Sequence, residues 1–118
     1  MNKPGSICHL EIKVDDMAKA KDFYGAVFGW SFQELGTTYM LAMVDGVSIG
    51  MELVSEVPSD GPHLPYVEVE GIKESLNNVE AAGGTVEEGA TESAGGLGWF
   101  ALLRDPAGNR LGIHKSHS

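Results

Sequence analysis

Basic residues are scarce in this chain of 118 amino acids: eight Lys and Arg stand against 17 Asp and Glu, for a formal net charge of −9. Nucleic acid and anionic membrane surfaces are met by dense cationic patches, whereas the basic residues here are scattered from Lys3 to Lys115, so neither is an expected partner. Cysteine is scarcer still. A lone Cys8 excludes an internal disulfide framework. No apolar run approaches the ~18 residues a membrane span needs, and Met1-Asn2-Lys3-Pro4-Gly5-Ser6 has no apolar signal core. The expectation is a protein of the reducing cytoplasm. Glycine is plentiful at 16 residues, roughly twice the usual 7%, and no low-complexity tract absorbs it, which points to tight turns and hairpins. The length fits one domain of about 100–150 residues.

Changes of hydrophobic period place the elements. Residues 7–14 are apolar at Cys8, Leu10, Ile12 and Val14 and polar at His9, Glu11 and Lys13, the two-residue period of a half-buried strand. From Met17 the apolar positions Met17, Ala20, Tyr24, Val27 and Phe28 are spaced by three and four, with Asp15 or Asp16 available as an N-cap and Gly29 past the end, so a helix of about three turns follows. Three extended segments come next, at 30–35, 38–44 and 47–54, and Asp45-Gly46 between the last two is a strong hairpin signal. Residues 55–62 are the most linker-like stretch. The order then repeats. A strand over 64–70 leads to a helix through Ile72, Leu76 and Val79 that ends at Gly83-Gly84, with strands at 85–90, 99–104 and 109–115. Sliding the chain by 55 residues sets Val14 on Val69, Tyr24 on Val79 and Gly29 on Gly84. The expected organisation is one domain over 1–118, with a first module at about 5–56, a linker at about 57–62 and a second module at about 63–116.

Strand phase divides the side chains into two sets. If helices cover one face of each sheet, Leu10, Ile12, Val14, Ile49, Met51, Leu53, Val67, Val69, Leu111 and Ile113 face them, and Cys8 joins that buried set. The alternates share the other face: His9, Glu11 and Lys13; Ser48, Gly50 and Glu52; Leu64, Tyr66 and Glu68; Arg110, Gly112 and His114. This second face is either simply solvated, as antiparallel sheets often are, or a concave surface for a ligand.

The stretches His9-Leu10-Glu11-Ile12-Lys13-Val14-Asp15-Asp16, Ala20 through Phe23-Tyr24 to Phe28-Gly29-Trp30, Gly50-Met51-Glu52-Leu53, Glu80-Ala81-Ala82-Gly83-Gly84 and Asp105-Pro106-Ala107-Gly108-Asn109-Arg110, in this order and spacing, resemble the vicinal oxygen chelate superfamily. That family takes in glyoxalase I, bleomycin-resistance proteins and extradiol dioxygenases. The resemblance implies an α+β fold of two βαβββ modules forming an open, cup-shaped mixed sheet with helices on the outer face, commonly completed by a second copy in a homodimer.

The family's metalloenzymes hold one divalent cation on four ligands, from the first, fourth, fifth and eighth strands. Residue by residue, His9 matches the first position and Glu52 the second, whereas the third falls on Leu64 and the fourth on Gly112. His63 could replace Leu64 only if a bulge near Pro65 re-aimed it, and His114 lies two residues beyond Gly112 on the same face. Two functions follow from the resemblance. The first is a small-molecule cup without a cofactor, with Glu11, Tyr66, Glu68, Arg110 and His114 as ligand-binding residues and Tyr66 placed to stack on the ligand. The alternative is a glyoxalase I-type lyase or isomerase, or a dioxygenase-like metalloenzyme, with Zn, Ni, Fe or Mn on His9, Glu52 and His114 and Glu52 moving the proton.

The remaining features are quieter. The loop 93–98 matches no phosphate-binding spacing and reads as a hairpin loop near the cup mouth. Glu11 and Glu68 are either an acid–base pair or partners of Lys13 and Arg110. The seven Glu of residues 68–92, against Lys73 alone, read as a solvated surface.

Overall fold

The computed structural model describes residues 4–58, 61 and 63–116, so Ser59, Asp60 and Pro62 of the expected linker lie outside the described residues. Strand, helix and three strands occur twice. The first set is β1 (His9–Val14), α1 (Met17–Phe28), β2 (Gln33–Glu34), β3 (Tyr39–Val44) and β4 (Val47–Leu53). The second is β5 (Tyr66–Glu68), α2 (Ile72–Ala81), β6 (Thr85–Glu92), β7 (Gly98–Arg104) and β8 (Arg110–Ser116), with a single 3₁₀ turn at Ala94–Gly96. Each set makes a four-stranded sheet of the same order, β1-β4-β3-β2 and β5-β8-β7-β6, in which the first strand runs parallel to the last and the other pairs are antiparallel. The sheets are open and mixed, and the α+β class and the duplicated βαβββ order are as the sequence pattern requires.

Local chemistry accounts for the boundaries. Asp16 caps α1 by accepting the Lys19 backbone N–H at 2.9 Å, and Gly29 ends it in the left-handed region at φ 74°. Asp45 and Gly46 both take positive φ, 48° and 87°, as a two-residue hairpin turn demands. Two strands are shorter than their patterns. β2 begins only at Gln33 because Trp30 and Phe32 turn into an aromatic cluster, where Trp30 stacks on Tyr24 at 5.4 Å. β5 begins only after Pro65, which has no N–H to give a ladder, although its carbonyl accepts the Gly112 N–H at 2.9 Å. Cys8 differs from expectation: it precedes β1 and is exposed, and its carbonyl, not its thiol, does the structural work by accepting the Ser48 N–H.

Most of the expected buried set forms the core; Leu10, Val67 and Val69 pack against it partly buried, and Leu53 stands outside it. Ile12, Val14, Ile49, Met51, Leu111 and Ile113 join Phe23, Tyr24, Val79 and Leu103 in one apolar cluster that draws on both repeats. The polar alternates on the same strands, His9, Glu11, Lys13, Ser48, Glu52, Tyr66, Glu68, Arg110 and His114, stay at least partly accessible, which leaves each sheet a polar face. The repeats meet at Gly84, where an added Cβ would lie 2.7 Å from both the Arg104 carbonyl and the Phe23 ring, so only glycine admits this approach.

A buried carboxylate ties the repeats together. Asp105, on the turn between β7 and β8, is 4% exposed and accepts the Tyr24 hydroxyl of α1 at 2.7 Å. It also accepts the backbone N–H groups of Ala107 and Asn109, and the Asn109 amide, which in turn donates to the Lys13 carbonyl of β1 at 2.8 Å. Burial, reinforced by the Asp105 charge, raises the Tyr24 pKa well above its ordinary value, so this hydroxyl stays protonated and donates. Replacing Tyr24 by Phe removes one charge-assisted hydrogen bond and is expected to lower the unfolding free energy by about 1.5–3 kcal/mol in urea denaturation, with Asp105→Ala costing more because it strands several donors.

Candidate functional site

The polar face of the first sheet is built by the register of β1 on β4, which sets His9 beside Ser48, Glu11 beside Gly50 and Lys13 beside Glu52. β3 adds Tyr39 opposite Glu52. These side chains form a continuous network. Glu11 accepts the His9 Nε2–H at 2.7 Å and the Tyr39 hydroxyl at 2.9 Å. The carboxylate thereby selects the tautomer that leaves His9 Nδ1 to accept the Ser48 hydroxyl at 2.5 Å. Lys13 donates to Glu52 and lies 4.0 Å from the second oxygen of Glu11. The His9 hydrogen bond, with help from Tyr39 and Lys13, holds the Glu11 carboxyl below its ordinary value of 4.5. The Glu52 hydrogen bond raises the Lys13 ammonium above 10.5. Gly50 makes room for Tyr39: a Cβ there would sit 1.9 Å from the tyrosine oxygen.

The second sheet repeats the device with different chemistry. Tyr66 on β5 pairs with Gly112 on β8, and a Cβ at Gly112 would fall 2.3 Å from two carbons of the Tyr66 ring, so the ring lies over the glycine. Phe100 on β7 meets Tyr66 edge to face at 6.3 Å. Beside them Glu68 accepts His114 Nδ1 at 3.2 Å and the Ser116 N–H at 2.9 Å, and these contacts, the backbone one first, keep its carboxyl below 4.5. With Nδ1 engaged, His114 keeps Nε2 for a further contact. Tyr66, Glu68, Phe100 and His114, with Ser93 and Leu97 from the loop before β7, line an open cleft of about 380 Å³.

The expected site residues therefore fall into groups. Tyr66, Glu68 and His114 share the cleft just described. Glu11 and Arg110 line a different one of about 410 Å³ at the seam between β1 and the turn into β8, with Lys13, His63 and Leu64. His9 and Glu52 belong to the network on the first sheet. Arg110 pairs with neither Glu11 nor Glu68; it donates to Glu87 at 2.5 Å, and Arg104 donates to the same carboxylate at 3.0 Å. Glu87 is exposed, as expected of the Glu-rich stretch, and is also an ion-pairing residue, beside a register irregularity in β6. Tyr39 and Phe100 were legible in principle, since they alternate with the buried Met40 and Ala101 on their strands.

The four positions that the resemblance gives to a divalent cation do not fit one. Leu64 offers no donor. Gly112 has no side chain, and the volume a ligand there would enter holds the Tyr66 ring. Glu52 has Lys13 on it, and His9 is bonded at both nitrogens. His114 is engaged by Glu68 on the other sheet, and no three His, Cys, Asp or Glu side chains among the described residues are placed to hold a metal together.

The sequence model of the glyoxalase/bleomycin resistance protein/dioxygenase superfamily matches residues 6–113. The chain belongs to that superfamily. Among solved structures this superfamily member is similar to a family enzyme from Burkholderia phytofirmans, with a TM-score of 0.81 and 19% identity over 92% of this chain and 97% of that one. A variant of the fosfomycin resistance protein FosX from Listeria monocytogenes, solved with Mn(II) and a dihydroxypropylphosphonic acid, gives a TM-score of 0.79 at 14% identity over 95% of this chain and 90% of that one. These likenesses are of fold. CFP32 of Mycobacterium bovis, named as a candidate glyoxylase, is 24% identical over 92% of this chain, and the chain spans 44% of its length.

The Glu87 ion pairs generate a pH dependence. Arg110 first, and then Arg104, depress the folded-state pKa of Glu87 below 4.5. A depressed carboxyl contributes stability that is complete above the unfolded value and is lost as pH falls through the folded one. The carboxyl carbon of Glu87 should titrate below pH 4.5 by NMR, and Glu87→Gln should flatten the loss of thermal stability on the acid side of that point.

Proposed function

We propose that this superfamily member binds a small organic molecule on the polar faces of its sheets and does so without a divalent metal. The observation that carries this reading is the seat of Tyr66: its ring fills the place of a ligand side chain on Gly112 and turns that position into an aromatic floor. Tyr66 is 50% exposed and Leu97 67%, and with Phe100 they stand together in one cleft, a contiguous apolar patch of the kind that meets a ligand. Together with Phe100 they suit a flat, apolar moiety, and His114 Nε2 with Ser93 supplies the polar contacts that fix its orientation. Glu11 and Arg110 of the seam cleft belong to the same ligand-binding surface in this proposal.

A second copy completes the cup. Glu11 of the first face and Arg110 of the second share the seam cleft, while the cleft over Tyr66 is lined by the second repeat alone and is open. Met43 on the first face is 68% exposed, which leaves both faces with an uncovered apolar group. A homodimer that sets the first sheet of one copy against the second sheet of its partner covers these groups and deepens the cleft. Among the described residues no helix is long and apolar enough to cross a membrane.

Binding to the native state raises the melting temperature by mass action. A panel of small planar aromatics, tested with and without a basic or carboxylate substituent, should contain members that stabilise the protein. Tyr66→Ala should remove that stabilisation while leaving the unliganded melting temperature within a few degrees, and a panel that stabilises nothing overturns the proposal. Light scattering should report twice the chain mass, and a monomer at high concentration removes the dimeric cup.

A further inference from the structure

On the polar face of the second sheet, register sets His114 beside Glu68 of β5 on one side and Phe100 of β7 on the other. Its Nδ1 lies 3.2 Å from Glu68 Oε1. That carboxylate is held in turn by Ser116, whose backbone N–H donates to Oε2 at 2.9 Å and whose hydroxyl donates to Oε1 at 3.0 Å. These contacts favour the ionised form of Glu68, and an ionised carboxylate only accepts. The proton between the two residues therefore sits on Nδ1. In the neutral ring Nε2 is then a lone pair, and it has no partner among the described residues. No lysine or arginine is among the described residues that line the cleft, so an anionic ligand would face Glu68 unanswered.

We propose that Glu68, through the tautomer it imposes on His114, selects the ligand of this cleft: a neutral planar ring with a hydrogen-bond donor on its edge, a hydroxyl or a ring N–H, given to His114 Nε2. The inference rests on the small-molecule reading above and deepens it by fixing the sense of the polar contact. Tyr66 and Phe100 offer a face and an edge, which any planar ring can satisfy. His114 discriminates, because a ring that brings only an acceptor or a methyl group covers the Nε2 lone pair without giving it a donor. Glu68 acts through the histidine, as a positioning residue. Glu68→Gln reverses the sense. The Ser116 N–H pins the amide oxygen at the place of Oε2, which turns the amide nitrogen toward Nδ1. A donating amide moves the ring proton to Nε2, and His114 then gives a hydrogen bond where it accepted one. Glu68 is exposed and lies outside the apolar cluster, so this exchange leaves the core untouched.

The test has two readouts, each on protein checked for native melting temperature. The first needs no ligand. Nitrogen NMR of the histidine rings at about pH 8, with His114 assigned by His114→Phe, should find the wild-type ring protonated at Nδ1 and the Glu68→Gln ring at Nε2. The second compares matched pairs by calorimetry: naphthol with its methyl ether, and indole with its N-methyl derivative. Wild type should bind the donor of each pair at least about tenfold more tightly than its methylated partner, and Glu68→Gln should bring that ratio to within about twofold of unity or reverse it. A preference set by the bulk of the methyl group survives in Glu68→Gln and overturns the inference. Wild-type His114 protonated at Nε2 overturns it too, as do pairs that wild type binds equally, or not at all while other planar aromatics stabilise it through Tyr66. Each of these results leaves the small-molecule reading standing, whereas a panel in which nothing binds removes both.

Discussion

The hydrogen bond from Tyr24 to Asp105 is the constraint on which the arrangement of the repeats depends. A carboxylate in an apolar core is costly unless its charge is answered, and Asp105 is answered from three directions: by the Tyr24 hydroxyl, by the N–H groups of its own turn and by the Asn109 amide. The first comes from the opposite repeat. The last is passed on, because Asn109 also donates to the Lys13 carbonyl. One buried group therefore fixes the position of α1 against the β7–β8 turn and the height of β1 beside it. Tyr24 stacks on Trp30 in the same cluster, so the aromatic packing that shortens β2 is locked by the same contact. The polar faces are displayed where they are because the apolar faces are held together by this junction.

Much of this architecture was legible from residues alone. Asp16 and Gly29 bracket a three-and-four spacing that has few alternatives to a helix, and the alternation through Ile12, Val14, Ile49, Met51, Leu111 and Ile113 assigned the core face of three strands correctly. Phase failed where a contact runs between strands. Glu87 reaches Arg104 and Arg110 through cross-strand register, Thr85 opposite Arg104 and Arg104 opposite Arg110, which the periodicity of one strand does not supply. Cys8 was assigned to a strand that begins one residue later. The seating of Tyr66 over Gly112 was out of reach for the same reason as the Glu87 pairs. Each residue was on the right face, but the contact between them depends on strand register, and register was not recoverable from the periodicity of one strand.

The two polar faces are variations on one plan. In each, a glycine on the last strand of the repeat lies beneath a tyrosine, Gly50 under Tyr39 and Gly112 under Tyr66. In each, a histidine is oriented by a glutamate, His9 by Glu11 and His114 by Glu68. The tyrosines arrive from different strands, β3 in the first repeat and β5 in the second, so the likeness is not a simple copy of positions. What differs is the neighbourhood: the first face is ionic around Lys13, whereas the second is aromatic, with Phe100 and Leu97 beside the tyrosine.

Charge is correspondingly a poor guide to what these faces would recognise on the proposed reading. The chain carries −9 overall, yet Glu52 is met by Lys13, Glu11 by His9, Glu68 by His114 and Glu87 by two arginines. Each carboxylate on the polar faces has a donor already, and a cationic ligand would have to displace one of these to form an ion pair of its own. Exposed pairs of this kind contribute little stability individually, but Lys13, Arg104 and Arg110 offset part of the local field that these carboxylates would otherwise project. The surface left uncommitted is apolar and aromatic, at Tyr66, Phe100 and Leu97. Selection by shape and stacking, with His114 supplying direction, is what such a surface can perform.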